Sequence, residues 1–94
     1  LHAFPTPFTH LAAGDASQDG ASAALANALR VPQIRISEIV HGKRAITPDT
    51  ALRLARYFGT SAEFWMGMQA TYDLEMARDT IGPGIAETVR PRAA

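Results

Sequence analysis

Cysteine is absent from the 94 residues. That excludes disulfides, thiolate zinc sites, iron–sulfur clusters and cysteine nucleophiles, and it fits a reducing, cytoplasmic setting. No run of about 18 apolar residues occurs, so no membrane span is expected. No basic-then-apolar leader precedes a cleavage site, so no secretion signal is expected either. Polar–apolar alternation of the kind a half-buried strand needs is missing over any useful length, and there are no repeats. The histidines His2, His10 and His41 lack the spacing of metal ligands, and Asp15 with Asp19 does not complete a set. No metal, cofactor or catalytic role is expected. Net charge is zero, from 9 basic and 9 acidic residues, which taken alone argues against a polyanionic partner.

What is present is enough apolar material, 47% of the chain, for one modest core and one domain. The charge is also unevenly placed. Residues 1–29 carry Asp15 and Asp19 and no Lys or Arg, giving −2. Residues 30–56 carry Arg30, Arg35, Lys43, Arg44, Arg53 and Arg56 against Glu38 and Asp49, giving +4. Residues 57–94 return to −2. A basic island between acidic flanks points to a polyanion site on one part of the surface, the plainer reading being an ordinary solvated face.

Helical signals dominate. Residues 1–20 are punctuated by Pro5, Pro7, Gly14 and Gly20, and only residues 8–13 could make a weak first helix. Ser22 suits an N-cap ahead of a helix-forming run to Leu29. Pro32 suits the first position of a second helix, from Gln33 to His41, that Gly42 stops. Thr47, Pro48 and Asp49 form a third start. Its helix is expected to bury Ala51, Leu52, Leu54, Ala55 and Phe58 and to end at Gly59. Thr60 and Glu63 read as a capping box opening a long helix, which Gly82-Pro83-Gly84 breaks ahead of a mobile tail. The expectation is an all-α fold of four to five helices. It comprises an irregular or weakly helical segment 1–20, a helix-turn-helix domain with a long C-terminal helix over 21–78, and a flexible tail over 79–94.

Residues 22–42 are two short helices joined by a tight turn, the second lying in the basic island. That arrangement places its second helix in the DNA major groove. At about 100° per residue, Ile36, Ile39 and Val40 fall on one side, and Ile34, Ser37, Glu38 and His41 on the other. Gln33 stands at the exposed helix start. Gln can bind adenine bidentately, Ser is permissive, and an exposed Ile can touch a thymine methyl. Glu38 either accepts from cytosine or pairs with a neighbouring arginine. Arg35 at the flank, and Lys43 and Arg44 just past the helix, are placed for phosphates. Phe64, Trp65 and Met68 read mainly as core, although Met68 with Tyr72 and Leu74 exceeds what a small core needs and marks a partner surface.

These residues are specific enough to carry a resemblance. Leu25-Ala26, the run from Arg35 through Gly42-Lys43-Arg44-Ala45-Ile46-Thr47, and Ala51 to Ala55 belong to it. So do Phe58-Gly59-Thr60-Ser61, Phe64-Trp65, Gln69 and Tyr72-Asp73-Leu74. Together they resemble the HigA-type antitoxins, the VapI group of the Cro/C1 (XRE) helix-turn-helix family, over about residues 22–78. The resemblance implies a non-enzymatic bacterial antitoxin. Such a protein dimerises, binds operator DNA to repress its own operon, and neutralises a HigB toxin, a RelE-like ribosome-dependent endoribonuclease. Gln33, Ile34, Arg35, Ser37 and Glu38, with Lys43 and Arg44 behind them, are the matching DNA positions. Three departures stand out, one of them a residue missing before Leu25 relative to the family pattern. The family's opening His-Pro-Gly-Glu element is replaced by Leu-His-Ala-Phe-Pro-Thr-Pro, and Arg30 stands at the turn position that usually takes Gly. A left-handed Arg there costs roughly 1 kcal/mol. The alternatives are an orphan Cro/C1-type regulator without a toxin, and a toxin-holding module that has lost DNA binding.

Overall fold

The computed structural model describes Phe8 and residues 18–93, which contain five α-helices and no strand. The helices are α1 (Gln18–Leu29), α2 (Gln33–Val40), α3 (Pro48–Phe58), α4 (Ala62–Thr80) and α5 (Gly82–Thr88). The weak helix expected over residues 8–13 lies, Phe8 apart, outside the described residues.

Local chemistry explains most boundaries. Thr47 precedes Pro48 at the start of α3, where the missing proline N–H has no intrahelical partner to lose. Gly59 ends α3 with φ 71°, a left-handed turn that a Cβ would strain. The start of α4 differs from expectation. Ser61, not Thr60, is the N-cap, its hydroxyl accepting from the Phe64 N–H at 3.1 Å. The Thr60 hydroxyl instead accepts from the Trp65 indole at 2.7 Å, satisfying the polar edge of a buried ring. The start of α1 also differs. The helix begins at Gln18, and Ser22 is a buried residue within it rather than its cap. At the other end, Gly82 and Pro83 open α5 where a mobile tail was expected, because a proline in the first turn is compatible with a helix start.

The core is where α1, α2, α3 and the first half of α4 meet. Leu25, Ala26, Leu29, Ile36, Ile39, Val40, Ile46, Ala51, Leu54 and Trp65 are buried there. Phe8 joins them, its ring 6.3 Å from that of Trp65. Three residues expected in the core are not in it. Leu52 is 62% exposed, because it lies one residue, about 100°, round α3 from Ala51. Thr50 takes the buried place beside Ala51. Phe58 and Phe64 are half exposed, their ring centroids 5.6 Å and 5.2 Å from that of Trp65.

Among the described elements α5 packs on α4 alone. The molecule is therefore elongated, 52 × 30 × 19 Å, with a radius of gyration of 16.3 Å. A compact chain of 100 residues has about 13 Å.

Candidate nucleic-acid interface

Helix α2 is held by its apolar side. Ile36, Ile39 and Val40 are at most 3% exposed, as the helical period requires once Ile36 faces inward. Gln33, Ile34 and His41 are exposed, Ile34 at 60%, and Ser37 and Glu38 are half-buried between them. Ile34, Ser37, Glu38 and His41, the four residues expected to form the outward stripe, therefore lie away from the buried side, and Gln33 is exposed at the helix start.

Both ends of this unit are closed by the same backbone device. After α2, the Lys43 N–H donates to the Glu38 carbonyl at 2.8 Å and the Gly42 N–H to Ile39 at 3.1 Å, with Gly42 at φ 76°. This is a Schellman motif with glycine in its left-handed position. After α1, the Val31 N–H donates to the Ala26 carbonyl at 3.0 Å and the Arg30 N–H to Asn27 at 3.2 Å. There the left-handed residue is Arg30, at φ 62°. The turn keeps its geometry without glycine and carries the strain that a Cβ adds. His41 Nδ1 lies 2.7 Å from the Ser37 carbonyl. A carbonyl can only accept, so in this contact Nδ1 carries the proton.

The basic residues are not equivalent. Arg44 Nε donates to Glu38 Oε1 at 2.8 Å, so the arginine pairing left open for Glu38 is formed. Arg35 Nη1 donates to Asp49 Oδ2 at 2.7 Å, and Arg53 Nε donates to the same oxygen at 3.1 Å. Arg53 reaches further, through Nη1 to the Leu29 carbonyl at 3.0 Å, and so places a cation on the C-terminal end of α1. The guanidiniums of Arg53 and Arg35 hold the Asp49 carboxyl below its ordinary value of 3.8. Arg35, Arg44 and Arg53, with Thr47, Asp49 and Thr50, line a cleft of about 320 Å³ beside α2. Lys43 is exposed and has no acidic partner among the described residues.

The loop that carries Lys43 and Arg44 is anchored by a residue the stripe does not include. Gln69 of α4 is buried, its Oε1 accepts from the Ile46 N–H at 2.7 Å, and its Nε2 donates to Asp73 at 2.8 Å. Asp49, Arg53 and Gln69 were missed as site-building residues. The four-residue spacing of Asp49 and Arg53 is a helix-pair signal, but a buried glutamine announces itself by no pattern. The expected partner surface divides. Met68 packs against the core, Tyr72 is half-buried, and Leu74 is 52% exposed on another side of α4.

Comparison with known proteins agrees with this geometry. Residues 18–65 match the helix-turn-helix family. Virulence-associated protein I of Dichelobacter nodosus is 61% identical over 54 residues, which are 57% of this chain and 50% of that protein. The chain thus spans about half the length of that relative. An addiction module antidote protein of the HigA family from Coxiella burnetii is 45% identical, with a TM-score of 0.72 over 76% of this chain and 77% of that one. The Pseudomonas aeruginosa antitoxin HigA, solved with the higBA promoter, is 35% identical, with a TM-score of 0.78 over 95% and 99%. Sequence and architecture agree, and the chain belongs to the HigA-type group of the Cro/C1 helix-turn-helix family.

Proposed function

We propose that the protein is the DNA-binding antitoxin of a HigB/HigA-like module. In this reading it represses its own operon and neutralises a RelE-like endoribonuclease toxin in the cytoplasm. The observation that carries the DNA half is the exposed side of α2, with Gln33, Ile34, Ser37, Glu38 and His41 flanked by Arg35, Lys43 and Arg44. Side chains of those types read base edges, and the cations fix register on phosphates. The likeness to an antitoxin solved with its promoter supports the same reading. A homodimer follows from the geometry of two half-sites, which needs two α2 helices about 34 Å apart. Its contact is assigned to the exposed apolar residues Leu74 of α4, Ile85 of α5, and Ile81 and Val89 at the two ends of α5. Of the other two residues expected on that surface, Met68 packs against the core and Tyr72 is half-buried.

The test has two parts. Fluorescence anisotropy on the DNA upstream of its own gene should show binding on the order of a thousandfold or more tighter than on a scrambled duplex, the usual margin of specific recognition. Co-expression with a neighbouring toxin-sized reading frame should restore growth that the frame alone arrests. Equal affinity for both duplexes would end the repressor reading. Growth arrest that persists would end the antitoxin reading and leave an orphan regulator.

A further inference from the structure

Two arginines on the α2 side already hold carboxylates. Arg44 is bound to Glu38 at 2.8 Å and Arg35 to Asp49 at 2.7 Å. Both pairs are partly exposed, with side-chain exposures between 29% and 54%, and pairs of that kind add little to stability. A guanidinium recognises carboxylate and phosphate through the same fork of N–H donors. The two arginines of the Asp49 cluster also differ. Arg53 has a second anchor in the Leu29 carbonyl, whereas among the described residues the side chain of Arg35 bonds to Asp49 alone. If a competing oxygen arrives in the cleft, Arg35 is the partner free to exchange.

We propose that Asp49 occupies the place of a DNA phosphate, restraining Arg35 until a backbone phosphate of the bound duplex displaces it. This rests on the DNA reading above and adds a residue to it that touches no base. Asp49 then limits the grip of the protein on any duplex. Nonspecific binding is essentially all electrostatic, so that grip is where the limit is read most directly. Glu38 restrains Arg44 in the same way, with the added feature that Glu38 itself faces outward from α2.

The experiment is anisotropy on a random-sequence duplex across a salt series, with wild type, Asp49→Asn and Asp49→Glu. Melting of each protein is followed in parallel. Freed of the carboxylate, Arg35 in Asp49→Asn should raise random-duplex affinity about three- to tenfold at low salt, the weight of one to two phosphate contacts. Its salt slope should steepen by up to about one, since no displaced carboxylate recaptures a cation. Asp49→Glu, which keeps the charge, should behave as wild type. If Asp49 merely props α2, Asp49→Asn should bind the random duplex more weakly than wild type at a temperature where both are folded, and that result would overturn the proposal. So would unchanged affinity and slope. A wild-type protein that holds neither the random duplex nor its upstream DNA would remove the DNA reading itself, a failure visible before any variant is compared.

Discussion

At the scale of single residues, two side chains carry effects that their surroundings make measurable. Arg30 holds a left-handed backbone at φ 62° in a turn built on Schellman geometry. Its side chain makes no bond the turn depends on, so glycine should relieve the strain. Arg30→Gly should raise stability by up to about 0.5 kcal/mol, the left-handed penalty less glycine's unfolded-state entropy. Urea denaturation checks it, and a lower midpoint would mean that the arginine contributes more than its backbone loses. Asp49 is held below its ordinary value of 3.8 by Arg53 and Arg35. Its contribution to stability is therefore complete above that value and is lost as pH falls through the lower, folded pKa. Wild type should melt above Asp49→Asn near neutral pH, and the two melting curves should converge as pH is taken below 3.8. A gap that stays constant into acid would remove the ion pairs from the account.

At the scale of elements, the helical period makes α2 legible, whereas composition assigns α3 and puts part of it on the wrong side. On α2 Ile36, Ile39 and Val40 fall together on one side of the helical period and outweigh the single Ile34 opposite, so that side faces the core. On α3 both Ala51 and Leu52 are apolar neighbours, and composition alone sends both inward. Packing admits only the side that holds Thr50, Ala51 and Leu54. Phe8 was beyond reach for another reason, since no local period surrounds it and its place depends on Trp65 far along the chain. Among the site residues, the Asp49–Arg53 spacing is local, but Arg35 meets Asp49 across 14 positions. Such a meeting exists only once α2 and α3 are packed. Gln69 is of the same kind, joining α4 to the loop after α2 through the Ile46 N–H. Gln69→Leu should leave that N–H without its acceptor and cost about 1–3 kcal/mol. It should also weaken binding to all duplexes alike, because Lys43 and Arg44 ride on the freed loop. Thermal melting with anisotropy on two unrelated duplexes tests this, and a change confined to one sequence would contradict it.

At the scale of the whole molecule, the protein divides its work between two ends. The core and α2 form one end, and the second half of α4 with α5 projects from it, exposing Leu74, Ile81 and Ile85. No residue pattern dictates that division, since a Gly-Pro-Gly break can end a chain's order as well as start a new helix. If the projecting arm pairs two copies, Leu74→Asp with Ile81→Asp should yield a folded monomer, because both sites are exposed and leave the core intact. Sedimentation velocity should then show half the wild-type mass. A dimer of unchanged strength would place the contact elsewhere. The central claim, that the outward side of α2 reads sequence, is tested most directly by selecting binding sites from a randomised duplex pool with wild type and Gln33→Ala. The account predicts that Gln33→Ala loses about 1–3 kcal/mol on the wild-type site and relaxes preference at one base pair, with melting and random-duplex affinity unchanged. A binding-site profile identical to that of wild type would contradict it.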